Sequence, residues 1–516
     1  MTIKPLSRKS LTATLDGTAV QQYETPHITS QKVVGMLKGI QFAVIVTAGA
    51  LLLAVGNAMI TGKTIKGDAR QTVQLALSLQ RHGIMSLDTA PPRQPSMERE
   101  PVPVLMVAAT LAVTDRVAGR ANMDQYLIGD RVKNLKRVDL FWLAIIYVSA
   151  FWALTLFIES FAVRLGGAVL ACIPILVESL KSNAALEAMY SDVGAAAMLL
   201  VASSTCVVAA RRRTSWGFLC AGACFGLLAL IKASVMYVFV GVIAAFAAYL
   251  LLDGKRSPVG HIAKVSMALL IGFAVVVAPW MVRNHQHFGV YQIAERGGQV
   301  LMIRATKNMM TPEEYLGSFY FWAPHGRFII GPILGFTPDD LNKRGGRLQH
   351  LNRENQSDFN LDDRAAERAG QPEKAVSYYR RARAEWRRMI LECTAEGAQY
   401  PSLCADKELK KRALALIVQH PFRHLAMTIP FLWRGALFAS ASLAGALCLA
   451  WRRRSLDFGL FLMPALGLTM FYALFSHFIP RYGEPLIPTT MVALVVSITM
   501  LRRAPAVGGA AIPSPG

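Results

Sequence analysis

The sequence predicts an all-α membrane protein with about ten spanning helices, and three observations predict it. First, 53% of the 516 residues are apolar and 17% are charged, against roughly 25% charged in soluble proteins. Second, the apolar residues fall in runs of about 20, the length a helix needs to cross a hydrocarbon core about 30 Å thick, where open backbone is forbidden. Third, the 55 Lys and Arg, against 33 Asp and Glu, gather as short caps between those runs, as at Arg211 to Arg213 and Arg452 to Arg454. Caps of this kind mark the cytoplasmic ends of membrane helices. The formal charge of +22 therefore speaks of topology and anionic membrane lipids. No glycine-and-aromatic signature of an RNA-binding module accompanies it, which argues against nucleic acid as a partner. The apolar excess excludes disorder, and only seven Cys exclude a disulfide scaffold.

In chain order, residues 1–37 are polar and predict a disordered cytoplasmic tail. The apolar run 39–60 has no small-residue cleavage site behind it and predicts a retained anchor instead of a signal peptide. Further spans are predicted at 139–161, 166–182, 191–209, 215–231, 233–252, 264–282, 425–450, 456–476 and 485–501, before a cytoplasmic tail at 502–516. Val102 to Val113 decides the topology: about a dozen residues opening Pro101, Val102, Pro103 are too short to cross and predict a surface helix. Arg211 to Arg213, Lys255 with Arg256, Arg452 to Arg454 and Arg502 with Arg503 then all fall on the cytoplasmic side.

The resulting organisation is a transmembrane module over 38–282 with a first outside loop at 61–138, an outside subdomain at 283–424, and C-terminal transmembrane helices at 425–501. The subdomain is too long for a plain loop and is expected to be small and mainly helical. Helices are expected at Glu373 to Ile390 and Asp406 to Gln419, with irregular chain around Gly331 to Gly346. Cys393 and Cys404, eleven positions apart, are disulfide candidates in an oxidising compartment; the other five Cys lie in apolar runs and read as packing residues. The chain carries no repeat, Walker loop, HExxH or CxxC, and Gly297 with Gly298 after Glu295 and Arg296 is a turn signal; the lack of an ATP site argues against a primary pump.

Candidate site residues cluster at the outside ends of the spans. Asp68, just past the first helix, serves either as a general base, its pKa raised by burial, or as an N-cap for the next helix. Arg99 and Glu100, in a charged turn before the surface helix, fit either a phosphate, metal or sugar contact or a solvated face. Asp192 follows the turn Leu186 to Ser191 and is equally an N-cap or an acid pointing across a cleft at Asp68. Arg283, beside the interfacial Trp280 and near His285, suits a lipid phosphate or a snorkelling anchor. Lys232 and Arg481, the latter with Tyr482 in a turn between two prolines, are further membrane-edge cations.

Taken in order, Asp68 in its GDA turn, the PP and REP turn, Tyr190-Ser191-Asp192, Leu230-Ile231-Lys232, Pro279-Trp280 with Arg283-Asn284 and Phe288-Gly289, and Arg481-Tyr482 before Pro485 resemble the GT-C superfamily of integral membrane glycosyltransferases. The nearest branch is the bacterial one related to protein mannosyltransferases and aminoarabinose transferases, and the resemblance covers roughly residues 39–500. It implies an inner-membrane enzyme that moves one sugar from a polyprenyl-phosphate donor lipid to an acceptor on the periplasmic face, with inversion at the anomeric carbon. Asp68 matches the catalytic acid of the first periplasmic loop. Arg283, Lys232 and Arg481 would hold the donor phosphate, and Asp192, Arg99, Glu100, Tyr482 and His285 would contact substrate. The chain departs from the family pattern at Asp68-Ala69, where many members carry Asp-Glu, and at Asp192, often Glu; this bears on the acceptor and on any metal. Carboxylates alone do not choose among Mg, Ca, Mn and none, so a divalent metal stays open. A secondary transporter or flippase would instead need ionisable groups near helix midpoints, which are almost free of charge here. A lipid-linked glycan polymerase or ligase would share carrier and compartment.

Overall fold

The computed structural model describes residues 30–62, 64–180, 186, 188–189, 191–253, 258–322 and 326–503. Most of both predicted tails, the Lys255-Arg256 cap, and Glu187 and Tyr190 of the turn before Asp192 lie outside the described residues. The chain divides into two units, 1–47 and 48–516; of the first, the opening of α1 (Ser30–Met59) is described, a helix that starts ahead of the predicted run.

Among the described residues all regular structure is helical, and ten helices are long and apolar enough to cross a membrane. After α1 come α2 (Gly67–His82) and α3 (Pro101–Ala118), then the short α4 (Met123–Leu127) and α5 (Val132–Lys136). The bundle continues with α6 (Val138–Thr155), α7 (Phe161–Glu178), α8 (Ser191–Arg212), α9 (Ser215–Ile231), α10 (Val235–Leu252) and α11 (Val259–Phe288). The segment that follows holds α12 (Gly297–Thr306), α13 (Pro312–Trp322), α14 (Gly326–Leu334), α15 (Pro338–Asn342), α16 (Asn360–Ala369), α17 (Tyr378–Ala395), α18 (Pro401–Gln419) and α19 (Pro421–Ala426). The chain closes with α20 (Thr428–Arg452), α21 (Leu456–Phe475), α22 (Pro480–Gly483) and α23 (Ile487–Arg502).

Several expected boundaries move. The surface helix predicted at Val102 to Val113 runs from Pro101 to Ala118, and its 18 residues would suffice for a span by length and composition. Its bonds tie both its ends to the segment between α1 and α6. Arg99, just before it, pairs with Asp68 at the start of α2, while Asp115 in its last turn accepts from Gln80 Nε2 (2.9 Å) and from Tyr126 of α4. Ile65 in turn donates to the Leu127 carbonyl (2.8 Å), so α3 is tied at each end to the connection between α1 and α6. The predicted run 139–161 breaks at Thr155, because Ser160 caps a new helix by accepting from the Val163 amide. α9 has only 17 residues, about 26 Å of helix, near the lower limit for a span. It nevertheless packs in the bundle: a Cβ on Gly222 would sit 2.1 Å from the Leu269 carbonyl oxygen of α11, and one on Gly272 equally close to that of Leu219. Reciprocal glycines let the two backbones meet.

Among the described residues, the cap residues Arg211 and Arg213 lie at one end of the bundle. Arg211 Nε lies 2.6 Å from Asp457, which also accepts from Tyr249 (2.9 Å), and Arg213 pairs with Asp253. Asp192 begins α8 and Arg212 ends it, so these pairs lie one helix length, about 33 Å, from Asp192.

In the segment after α11, α17 starts at Tyr378, later than the expected Glu373, because Ser377 accepts from the Arg380 amide (3.3 Å) and fixes the start there. α18 starts earlier than expected, with Pro401 at its first position, where a missing N–H costs nothing. The region 331–346 is short helix interrupted at Gly335 (φ +65°) and Gly345 (φ +84°). Cys393 and Cys404 are joined in a disulfide between α17 and α18. Near the end of the chain, the Phe478 ring covers Gly435, where a Cβ would sit 2.2 Å from it, and Gly483 abuts the Gly435 carbonyl. The turn that carries Arg481 and Tyr482 is seated on α20 by that missing side chain.

Candidate active site

Asp68 is delivered by a glycine. Gly67, at φ +58°, turns the extended chain at Lys66 into α2 and puts Asp68 in the first turn. Its carboxylate does not cap the helix: the N-cap is Lys66, which makes no side-chain cap bond. Both carboxylate oxygens instead face guanidinium groups. Arg99 pairs with Oδ1, Arg296 Nη1 lies 3.6 Å from the same atom, and Arg481 Nη2 donates to Oδ2 (3.0 Å).

The pairs continue inward from Arg481. Its Nε lies 3.0 Å from Asp192 Oδ2, and Lys232 Nζ lies 2.7 Å from Asp192 Oδ1. Lys232 is delivered by the end of α9, and Tyr482 spreads its ring beside both cations, 5.4 Å from the Lys232 ammonium and 5.6 Å from the Arg481 guanidinium. Glu100 Oε1 accepts the Ala233 amide (3.3 Å), tying the turn before α3 to the one after α9. Outward from Asp68, Arg296 pairs with Glu98, and Gln71 bonds Arg99, Arg296 and Glu98, the last at 2.9 Å. Asp68 thus sits where two layers of ion pairs meet, and a small cleft opens over it between Arg99, Glu100, Pro103, Ser191 and Arg481.

Exposure separates the two acids. The Asp68 side chain is 36% exposed and Asp192 is 0% exposed, so Asp68 can touch a ligand while Asp192 can act only through Lys232 and Arg481. Burial alone would push the Asp68 carboxyl up, but Arg99, Arg481 and Arg296 outweigh it and hold it well below the usual carboxylate range. This overturns the expectation of a raised pKa: desolvation is present, but three guanidinium groups exceed it.

The structure brings together Asp68, Arg99, Glu100, Asp192, Lys232, Arg481 and Tyr482 from the residues marked in the sequence. It does not bring Arg283 or His285. Arg283 stacks on Trp280 (4.7 Å) and donates to the Ser96 carbonyl (3.2 Å), so it braces the turn that carries Arg99 without lining the cleft. His285 is exposed and stacks on Tyr291 (4.1 Å). Gln71 and Arg296 were not anticipated as site residues. Arg296 carried one usable signal: a non-glycine residue beside a Gly-Gly turn, which the structure holds at φ +83°. Among the described residues, the grouping of Cys and acidic side chains close enough to share a metal ion is Cys393, Glu396 and Cys404, outside the cleft, and its two sulfurs are joined to each other. Asp68, Glu98 and Asp192 each already have a cation partner, a donor set that does not suit a divalent ion.

The fold and this cluster define a multi-pass helical membrane protein with a charged cleft at one end of its bundle. No protein-family model matches the sequence, and no curated protein matches it. Among solved structures the chain is similar to the crystal structure of the oligosaccharyltransferase of Archaeoglobus fulgidus in its apo form, at 13% identity and a TM-score of 0.44 over 90% of this chain. The chain spans about half the length of that protein, 51%.

Proposed function

We propose that the chain is an inverting membrane glycosyltransferase of the GT-C type, moving a sugar from a polyprenyl-phosphate-linked donor to an acceptor on the periplasmic face of the inner membrane. The observation that carries the reading is the convergence of Arg99, Arg296 and Arg481 on one partly exposed carboxylate at a membrane-edge cleft. A lipid-linked donor has to be reached from the bilayer and a polar acceptor from water, and the end of a helical bundle offers both. The positive caps at Arg211, Arg213 and Arg452 support a periplasmic cleft, since they belong to the opposite ends of their helices.

In this mechanism the donor phosphate enters the cleft and competes with Asp68 for the guanidinium groups. Arg99 and Arg481 turn toward the phosphate and stabilise the charge it gains as its bond to the anomeric carbon breaks. The same exchange removes the groups that held the Asp68 pKa down, so the carboxylate becomes a better proton acceptor when the donor is in place. The acceptor oxygen bonds the anomeric carbon from the opposite face, its proton passes to Asp68, and the phosphate leaves with the electron pair. Asp192 and Lys232 keep Arg481 in register and touch neither substrate.

The test is proteoliposomes carrying donor lipid labelled in the sugar, with a cell-envelope fraction as acceptor. Arg99→Gln should lower kcat by about 10²- to 10³-fold, the cost of one preorganised donor to a developing anion. Label that crosses the vesicle wall under an ion gradient, without covalent transfer and at the same rate in Arg99→Gln, would make the protein a transporter.

A further inference from the structure

Beside the cleft lies a second group of cations, with no acid at ion-pair distance among the described residues. Lys307 is 4% exposed, and its ammonium lies 4.7 Å from the centre of the Trp322 ring and 4.9 Å from that of Phe431. Arg434, in the first part of α20, lies 4.7 Å from the same Trp322 ring, and Arg353 lies 4.2 Å over Tyr379. His477, 8% exposed, stands between Tyr379 (6.3 Å) and Tyr482 (5.4 Å) and so joins this group to the wall of the Asp68 cleft. Beneath it Arg304, wholly buried, packs on Phe431 (4.5 Å) and spends its guanidinium on the carbonyls of Ala473 (3.1 Å) and His424 (2.8 Å).

The contrast with the Asp68 cluster is one of compensation. Around Asp68 each cation faces a carboxylate. Among the described residues, Lys307, Arg353 and Arg434 have neither a hydrogen-bond acceptor nor an acid at ion-pair distance, only ring faces. The charges that act on Lys307 are Arg434, Arg353 and Arg304; the largest that act on His477 are Lys307, Arg353, Arg434 and Arg481. His477 Nδ1 and Asn308 Nδ2 are buried and have no hydrogen-bond partner among the described residues. Burial, and then the neighbouring guanidinium groups, hold the Lys307 ammonium well below its usual range. Like charges gathered at a partly buried place without a counter-charge oppose folding, and an anion that entered among them would relieve the repulsion and meet unused donors together.

We propose that Lys307, Arg353 and Arg434, with His477, form a binding site for a multiply charged phosphate-class anion, separate from the Asp68 cleft. Two guanidinium groups and an ammonium match phosphate oxygens in charge and in donor geometry, and the aromatic walls shield the pair from water. The chemistry is shared by a lipid phosphate head and a free diphosphate. The inference does not need the transferase reading and stands if Asp68 proves not to be catalytic.

The test is thermal unfolding of the full chain in detergent at constant ionic strength, titrated with inorganic pyrophosphate or with a short-chain prenyl phosphate, and with chloride as control. Wild type should gain stability with one or both phosphates beyond chloride. Lys307→Met should unfold at a higher temperature than wild type without phosphate, since a buried like charge is gone, and should bind at least tenfold more weakly. Arg353→Gln, at a half-buried position, should show the same weakening and serves if Lys307→Met does not fold. Arg99→Gln, in the other cleft, should leave unchanged the part of the gain that depends on Lys307 and Arg353. A gain from pyrophosphate identifies a free phosphate as sufficient; a gain from prenyl phosphate alone, with the same dependence on Lys307 and Arg353, identifies a lipid head. The proposal is overturned if neither phosphate stabilises wild type, or if the gain survives in Lys307→Met and Arg353→Gln, or depends on Arg99 instead.

Discussion

Asp192→Asn is the substitution whose consequence the structure fixes most tightly. The carboxylate is fully buried and both oxygens are engaged, Oδ1 with Lys232 at 2.7 Å and Oδ2 with Arg481 at 3.0 Å. Asparagine keeps the shape but removes the charge and turns an NH₂ toward one of the two cations. Arg481 keeps Asp68 as a partner; among the described residues Lys232, 8% exposed, keeps the Tyr482 ring, Tyr472 and the more distant Glu100. Removing one member of a buried pair costs about 3–5 kcal/mol, chiefly for the charge left behind. In equilibrium unfolding of the detergent-solubilised chain, Asp192→Asn should lose stability in that range. Asp192→Asn with Lys232→Met should recover more than half, because the stranded ammonium is gone. A loss below about 1 kcal/mol, or a double variant whose losses simply add, would refute the assignment of Asp192 as the counter-charge of Lys232.

Three further outcomes follow from separate features. Burial, and then the Glu98 charge, push the Glu295 carboxyl up to about 7, so the folded state holds a proton that the unfolded chain has lost. Stability should therefore fall as pH rises from the ordinary carboxylate pKa through about 7 and then level, and Glu295→Gln should flatten that fall in unfolding curves taken across the window. Gly435→Ala puts a Cβ 2.2 Å from the Phe478 ring and should cost about 1–3 kcal/mol of overpacking while displacing the Arg481 turn, read as lower stability together with lower transfer. Reducing the Cys393–Cys404 disulfide should destabilise the chain by roughly 3 kcal/mol, and a thiol probe should label neither residue before reduction.

How much of this was legible in the sequence differs between bundle and site. The spans were legible because a bilayer admits only long apolar helices, and helix ends were misjudged where a side chain decided them, at Ser160 before a span and at Ser377 in the segment after α11. Asp68, Arg99, Asp192, Lys232 and Arg481 were legible as charges at helix ends, where such groups are either anchors or sites. Their pairing was not, since Asp68 and Arg481 meet across 413 positions. Arg283 shows the limit: an Arg beside an interfacial Trp reads the same whether it holds a ligand or, as here, the Ser96 carbonyl. The Asp68 pKa was misread because burial is visible in a pattern of apolar neighbours, and three converging guanidinium groups are not.

The most direct measurement compares wild type, Asp68→Asn and Asp68→Glu, each purified and returned to vesicles with sugar-labelled polyprenyl-phosphate donor and acceptor fraction, for donor binding and for label leaving the lipid. Asp68→Asn should bind the donor yet transfer at least about 10²-fold more slowly than wild type, the scale of a lost acid–base group, with Asp68→Glu in between. Wild-type transfer by Asp68→Asn, or transfer by none of the three while each binds the donor, would contradict the reading of this cleft as the place where the sugar moves.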